Sequence, residues 1–267
     1  MKAVVLARGK GTRMRSGAAA STDPSQARVA ETGVKGMIPF RRPFLDYVLS
    51  ALADAGCRDI CLVIGPEHDI VRDHYERSHP PERVRVSFAI QPEARGTADA
   101  VLAARAFAGT DPFLVLNSDN YYPVDVLRSL AALDGHGLPA FRRSTLIAES
   151  NIDPDRVRTY AMLTIDGNGD LVDIVEKPDR EAFARYGAEV RVSMNCWRFE
   201  SAIFTACAAI GPSARGEMEL PNAVRHAIHV MGERFRAMPV DAGVLDLSRR
   251  EDIAEVERRL AHVHPRP

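Results

Sequence analysis

Short apolar runs broken by glycine and polar residues set the rhythm of the first half of the chain. Residues 3–7 are the first such run, β-branched in the middle and stopped by Gly9, as in a buried parallel strand. Residues 60–64, 84–90 and 113–117 repeat the pattern. Between them the period changes. Pro43 opens a helix with Phe44, Tyr47, Val48, Ala51 and Leu52 on one face, residues 67–76 read as a second helix, and Thr97 caps an alanine-rich helix reaching Phe107. Strands alternating with helices predict right-handed crossovers and a mostly parallel sheet. Residues 15–33 are rich in Ala, Ser and Gly without a period, and are expected to form a flexible loop.

The second half changes character. Residues 160–165 and 171–175 flank the turn Asp166-Gly-Asn-Gly169 and predict a hairpin. Residues 190–199 read as one strand, 201–210 and 220–230 as helices, 235–240 as a late strand, and 249–262 as a closing amphipathic helix. With no internal repeat and no Pro/Gly-rich linker, one continuous sheet and a single domain over 1–267 are expected.

Composition narrows the class. At 46% hydrophobic and 27% charged, the 267 residues suffice for one large domain or two small ones. A net charge of −1 argues against a broad nucleic-acid-binding face. Cys57, Cys61, Cys196 and Cys207 lack metal-site spacing and read as buried thiols in a reducing compartment. No signal-peptide pattern and no bilayer-spanning apolar run are present, so a soluble, cytoplasmic protein without membrane contact is expected.

Candidate chemistry begins directly after the first run, at Gly9-Lys-Gly11-Thr12-Arg13. Glycines there let the backbone turn and approach an anion, and Arg13 supplies a fork suited to phosphate. The spacing fits neither a P-loop nor the dinucleotide fingerprint. Ligands of open α/β sheets bind beyond the carboxyl ends of the strands, where Gln91, Asp119, Glu176-Lys177-Pro178 and Asp246 fall. Each also has a plain structural reading: a strand terminus, a cap or turn former, a solvated pair. Together they have a logic. Two aspartates can hold Mg²⁺ with phosphate oxygens, while Arg13, Lys35 and Lys177 neutralise phosphates and Gln91 reads a base edge. That is equipment for phosphoryl or nucleotidyl transfer.

In order along the chain, these segments resemble the sugar-1-phosphate nucleotidyltransferases. Gly9-Lys-Gly-Thr-Arg-Met14 matches the opening Gly-x-Gly-Thr-Arg-Met/Leu, and Val34-Lys35-Gly36-Met37-Ile38-Pro39 stands in for Pro-Lys-Pro-x-x-Pro. Gln91-Pro92-x3-Gly96-Thr97, Asp119-Asn120, Glu176-Lys177-Pro178, Ser193-Met-Asn-Cys-Trp-Arg-Phe199, Gly216-Glu-Met-Glu-Leu220 and the segment from Asp246 to Ile253 follow. The resemblance implies a Rossmann-like three-layer α/β sandwich of the nucleotide-diphospho-sugar transferase type, with a mostly parallel mixed sheet. It divides the chain into a nucleotide-binding half, 1–135, and a sugar-phosphate-binding half, 136–267, without a C-terminal β-helix.

It also implies the reaction: magnesium-dependent attack of a sugar-1-phosphate on a nucleoside triphosphate, giving an NDP-sugar and pyrophosphate. Carried over position by position, Arg13, Lys35 and Lys177 are catalytic. Leu6, Ala7, Gly9, Gly11, Thr12, Gln91, Gly96 and Thr97 bind the nucleotide. Asn120, Tyr160, Ala161, Glu176, Ser193 and Asn195 bind the sugar phosphate, and Asp119 and Asp246 hold the metal. The base signals are split between thymidylyltransferase-like and ADP-glucose-enzyme-like segments; dTTP or UTP is favoured, with a hexose phosphate such as glucose-1-phosphate as acceptor. Homo-oligomer formation stays open, as do a non-sugar phosphate or phosphonate acceptor and a catalytically silent sensing or scaffold subunit. The departures are Arg8 in place of a small residue, the long 14–34 stretch, Ala161 and Asn195 in place of glycines, and Trp197 and Arg198.

Overall fold

The first apolar run forms β1 (Lys2–Leu6), which lies between parallel β2 (Asp59–Ile64) and β4 (Phe113–Asn117), with β3 (Arg85–Ile90) outside β2. The computed structural model describes residues 1–16, 23–179, 181, 186 and 189–267. Along the chain the remaining strands are β5 (Asn120–Tyr121), β6 (His136–Arg142), β7 (Ala161–Ile165), β8 (Leu171–Val175), β9 (Arg191–Ser193), β10 (Trp197–Phe199), β11 (Phe235–Val240) and β12 (Leu245–Asp246). One sheet runs β3-β2-β1-β4-β10-β6-β9-β7-β8, with β11 paired to β6, and β5 and β12 form a separate ribbon. β8, β9 and β10 oppose the direction shared by the other strands of the large sheet.

Alternation along β1 explains why its sequence is uniformly apolar. Ala3 and Val5 enter one core, and Val4 and Leu6 the other, so both faces are covered. The described helices are α1 (Thr12–Ser16), α2 (Pro24–Thr32), α3 (Phe44–Asp54), α4 (Asp69–Asp73), α5 (Thr97–Ala103), α6 (Arg105–Ala108), α7 (Val124–Ala131), α8 (Arg143–Glu149), α9 (Pro154–Val157), α10 (Ala202–Ala209), α11 (Leu220–His229) and α12 (Asp252–Leu260). Buried residues of α3, α7 and α12 join the first core, and those of α5, α10 and α11 the second, giving three layers. This is the expected α/β sandwich with its mixed sheet.

Several local expectations change. Within 15–33 the structure places α2, with the Asp23 carboxylate accepting from the Ser25 N–H and Gly33 closing the helix at φ 79°. The helix buries only Gln26 and Ala30, so little hydrophobic period marked it; residues 17–22 of that expected loop lie outside the described residues. Thr97 does not cap its own helix: Gly96 is the N-cap of α5, and the Thr97 hydroxyl accepts instead from the Leu220 N–H at 2.9 Å. The helix expected to Phe107 breaks at Ala104. The strand expected over 190–199 is split into β9 and β10, with Asn195 between them at φ 57°.

β6 went unseen in the sequence because His136-Gly-Leu-Pro139 carries a glycine and a proline. Its partner explains the tolerance. β6 pairs with β10 at Gly137 and with β9 at Phe141 and Arg142, and Pro139 falls between these points, where the partner strand is broken.

Candidate active site

A crevice opens at the carboxyl ends of β1, β2, β3 and β4, and two cavities meet in it. The larger, about 480 Å³, is lined by the whole expected nucleotide set, Leu6, Ala7, Gly9, Gly11, Thr12, Gln91, Gly96 and Thr97, with Arg13 and Lys35 of the catalytic set and Asp119 of the metal pair. The smaller, about 220 Å³, is lined by Asn120, Tyr160, Ala161, Glu176, Ser193, Asn195 and Asp246 of the expected acceptor and metal sets. Asp119, Thr97, Asn117, Glu217 and Ser248 line both. Lys177 stands apart: it is exposed, lines neither wall and has a left-handed backbone at φ 44°.

The glycine turn is held from behind. Gly11 has φ 61°, and a Cβ there would lie 2.2 Å from the Gly33 carbonyl oxygen, so only glycine lets the turn rest against the end of α2. Two residues beyond Gly33, Lys35 Nζ lies 2.7 Å from Asp119 Oδ2. A lysine bound to the strand-end aspartate keeps one cation and one anion at the seam between the cavities.

Gln91 spends its amide nitrogen within the protein. Its amide nitrogen donates to the Gly96 carbonyl at 3.1 Å and to Asp99 Oδ2 at 2.7 Å. Gly96, at φ 119°, sits against the segment before α11, where a Cβ would meet Met218 O at 2.4 Å. The Met218 N–H donates to Arg95 O, and the Ala98 N–H to Met218 O, so the two loops are stitched by backbone.

The acceptor wall draws on distant segments. The β5–β12 ribbon sets Asp246 opposite Asn120. Asp246 Oδ2 accepts from the Tyr160 hydroxyl at 2.9 Å and pairs with Arg156 at 3.0 Å, while Arg156 also reaches Asp252 at 2.7 Å. Burial, then the charge of Asp119, pushes the Asp246 carboxyl above its ordinary range, and Arg156 opposes the shift. Asp246 Oδ1 is buried without a hydrogen-bond partner. Burial and the neighbouring Glu219 charge raise Glu176 to about 7 despite Arg215. Asn195 takes a hydrogen bond from Trp197 Nε1 at 2.9 Å and donates to Asn117 at 2.8 Å, which fixes its side chain at the strand break.

Arg156, Asn117, Arg215, Glu217, Glu219 and Ser248 were missed as site residues. Gly216-Glu-Met-Glu-Leu220 gave a signal for the glutamates. Arg156, in contrast, looks like any arginine of a short polar helix until Asp246 and Asp252 are placed beside it. Among the described residues no group of three His, Cys, Asp or Glu side chains is arranged to hold a metal. The four cysteines are buried and free, and burial pushes the Cys57 and Cys61 thiols up to about 11. No helix among the described residues is long and apolar enough to cross a membrane.

The comparisons agree with this architecture. The family model described as nucleotidyl transferase matches residues 2–262. The UTP–glucose-1-phosphate uridylyltransferase AglF of Haloferax volcanii is 28% identical over 264 residues, covering 97% of this chain and 96% of the relative. A glucose-1-phosphate thymidylyltransferase of Streptomyces griseus is 29% identical over 97% of this chain and 65% of its own length. A solved structure of UDP-glucose pyrophosphorylase complexed with UDP-glucose shares the fold at a TM-score of 0.74 and 19% identity, covering 98% of this chain and 99% of that one.

Proposed function

The chain belongs to the nucleotidyl transferase family, and from that premise we propose that it joins a pyrimidine nucleoside triphosphate, UTP or dTTP, to a hexose-1-phosphate such as glucose-1-phosphate. The carrying observation is the pair of cavities sharing Asp119, one walled by Arg13, Lys35 and the glycine turn, the other by Glu176, Asn120 and Asn195. The substrates named for the Haloferax and Streptomyces relatives support the choice of base and sugar.

In this reading a phosphate oxygen of the acceptor attacks the α-phosphorus. A new P–O bond forms, the α–β anhydride bond breaks, and its electron pair leaves with pyrophosphate. Arg13 and Lys35 face the triphosphate and offset charge that builds on the leaving group. The Glu176 carboxylate, in the acceptor cavity, is assigned to the sugar hydroxyls, whereas Lys177 beside it lines neither cavity and takes no role in this reading. The two walls converge on Asp119 and so orient the partners, which supplies much of the rate in such transfers.

Magnesium fits the donor set. Asp119, which lines both cavities, and Asp246, which lines the smaller one, offer two carboxylates, Asp246 Oδ1 is buried without a hydrogen-bond partner, and Mg²⁺ commonly takes one or two carboxylates plus phosphate oxygens. When bound, it would screen the phosphate charges as a Lewis acid.

A pyrophosphate-release screen of UTP, dTTP, ATP, CTP and GTP against sugar-1-phosphates tests the reading. Release with a pyrimidine triphosphate and a hexose-1-phosphate is expected, and Asp119→Asn is expected to lower turnover by about 100-fold or more. Silence across the panel, or full turnover by the variant, overturns the assignment.

A further inference from the structure

Arg8 comes two residues after the first strand, and the structure gives it a built position. It follows β1 on the side of β2 and β3, and it lines the larger cavity but not the acceptor cavity. Its Nε donates to the Gln91 carbonyl at 3.1 Å, and its Nη1 pairs with Glu67 Oε1 at 2.6 Å. The guanidinium lies against Gly65, where a Cβ would fall 2.4 Å from Nε and 2.6 Å from Cζ. A missing side chain on β2's exit therefore makes room for the arginine fork. With 13% of its side chain exposed, Arg8 is fixed in the wall rather than waving from it.

Arg8 and Gln91, joined through Arg8 Nε and the Gln91 carbonyl, each keep one hydrogen-bonding group unspent. Nη2 of Arg8 has no partner among the described residues. Gln91 has committed its amide nitrogen to two acceptors, the Gly96 carbonyl and the Asp99 carboxylate. Those acceptors fix the amide orientation, since its oxygen facing either would be repelled. Oε1 is thereby left as the free group of Gln91, an acceptor only.

We propose that Arg8 is a base-selecting residue, donating to a ring carbonyl of the nucleoside triphosphate while Gln91 Oε1 accepts from the adjoining ring N–H. The proposal rests on the nucleotidyl-transfer reading of this cavity and names the edge it recognises. A carbonyl beside an N–H occurs on uracil, thymine and guanine. Adenine offers no carbonyl to the guanidinium. Cytosine offers a carbonyl, but its neighbouring ring nitrogen is an acceptor and opposes Gln91 Oε1. A guanidinium suits the task because its planar fork keeps donors in place while two of its nitrogens are anchored.

Equilibrium binding of UTP, dTTP, GTP, ATP and CTP to the intact protein, without acceptor, tests this independently of turnover. The wild-type protein is expected to bind the three oxo-bases at least tenfold tighter than ATP or CTP. Arg8→Ala should weaken UTP, dTTP and GTP by tenfold or more and change ATP by less than about twofold. Gly65→Ala, which keeps Arg8 but displaces its guanidinium, should lose the same preference. An unfolded fraction lowers all nucleotides alike, so the ratio between bases reads Arg8 alone. A wild-type preference for ATP or CTP, an unchanged ratio in both variants, or tighter binding of every nucleotide by Arg8→Ala overturns the proposal. Pyrophosphate release in the screen can succeed or fail separately, which distinguishes a wrong base rule from a wrong reaction.

Discussion

Glu176 shows how one carboxyl can carry a measurable tension. It is raised from its ordinary range to about 7, first by burial and then by Glu219. The folded protein therefore holds this proton more tightly than the unfolded chain does. Stability should fall as pH rises from about 4.5 to 7, and stay lowered above that. Glu176→Gln removes the group that is burdened by ionisation, so the variant should be more stable than wild type at pH 8 by about 1–3 kcal/mol and near-equal at pH 4. Denaturant unfolding at the two pH values checks it, and the same difference at both would show that Glu176 titrates normally. The residue was legible in the sequence through Glu176-Lys177-Pro178, but its raised carboxyl was not. That depends on Glu219, which the fold brings from a segment 43 positions later in the chain.

At the scale of elements, the two walls are joined by a cap that serves the wrong helix by sequence rules. Thr97 opens α5, yet its hydroxyl accepts from the first N–H of α11. A threonine before an apolar run reads as its own helix's cap; a partner more than a hundred residues away leaves no local trace. Thr97→Val should leave the Leu220 N–H short of a partner and cost about 1–2 kcal/mol, with Thr97→Ser restoring most of it. The segment just before α11 carries Glu217 and Glu219 into the acceptor cavity. The KM for the acceptor should therefore rise more in Thr97→Val than the KM for the nucleotide; equal changes in both would mean that the cap acts only on global stability. The split of 190–199 belongs to the same scale. Its apolar residues spell a strand, but β9 continues to β7 while β10 continues to β4, and Asn195 takes the left-handed turn between them. Asparagine tolerates that conformation, so nothing in composition forbade the break.

For the whole molecule, each core draws on both ends of the chain. Val5 and Leu49 share one with Val192 and Leu260, and Val4 and Val101 share the other with Trp197 and Phe235. The last residue turns back onto the first half: the Pro267 carbonyl accepts from the Glu82 and Arg83 N–H groups. We therefore expect one cooperative thermal transition, with calorimetric and van't Hoff enthalpies in agreement, and no independent folding of residues 1–135 or 136–267. Two separated transitions would show instead that the nucleotide and acceptor halves are distinct domains. The sequence by itself determined the parallel first half, because strands buried on both faces must be apolar throughout, and it determined the glycine turn, because only glycine permits that close backbone approach. Tertiary structure alone decided which groups meet. Asp246 reaches the acceptor cavity through its pairing with Asn120, Arg156 is captured by two aspartates, and Arg8 lies against a glycine just past the neighbouring strand. Local pattern encodes what a residue's own backbone and burial require, whereas such meetings depend on the register of strands far apart in the chain.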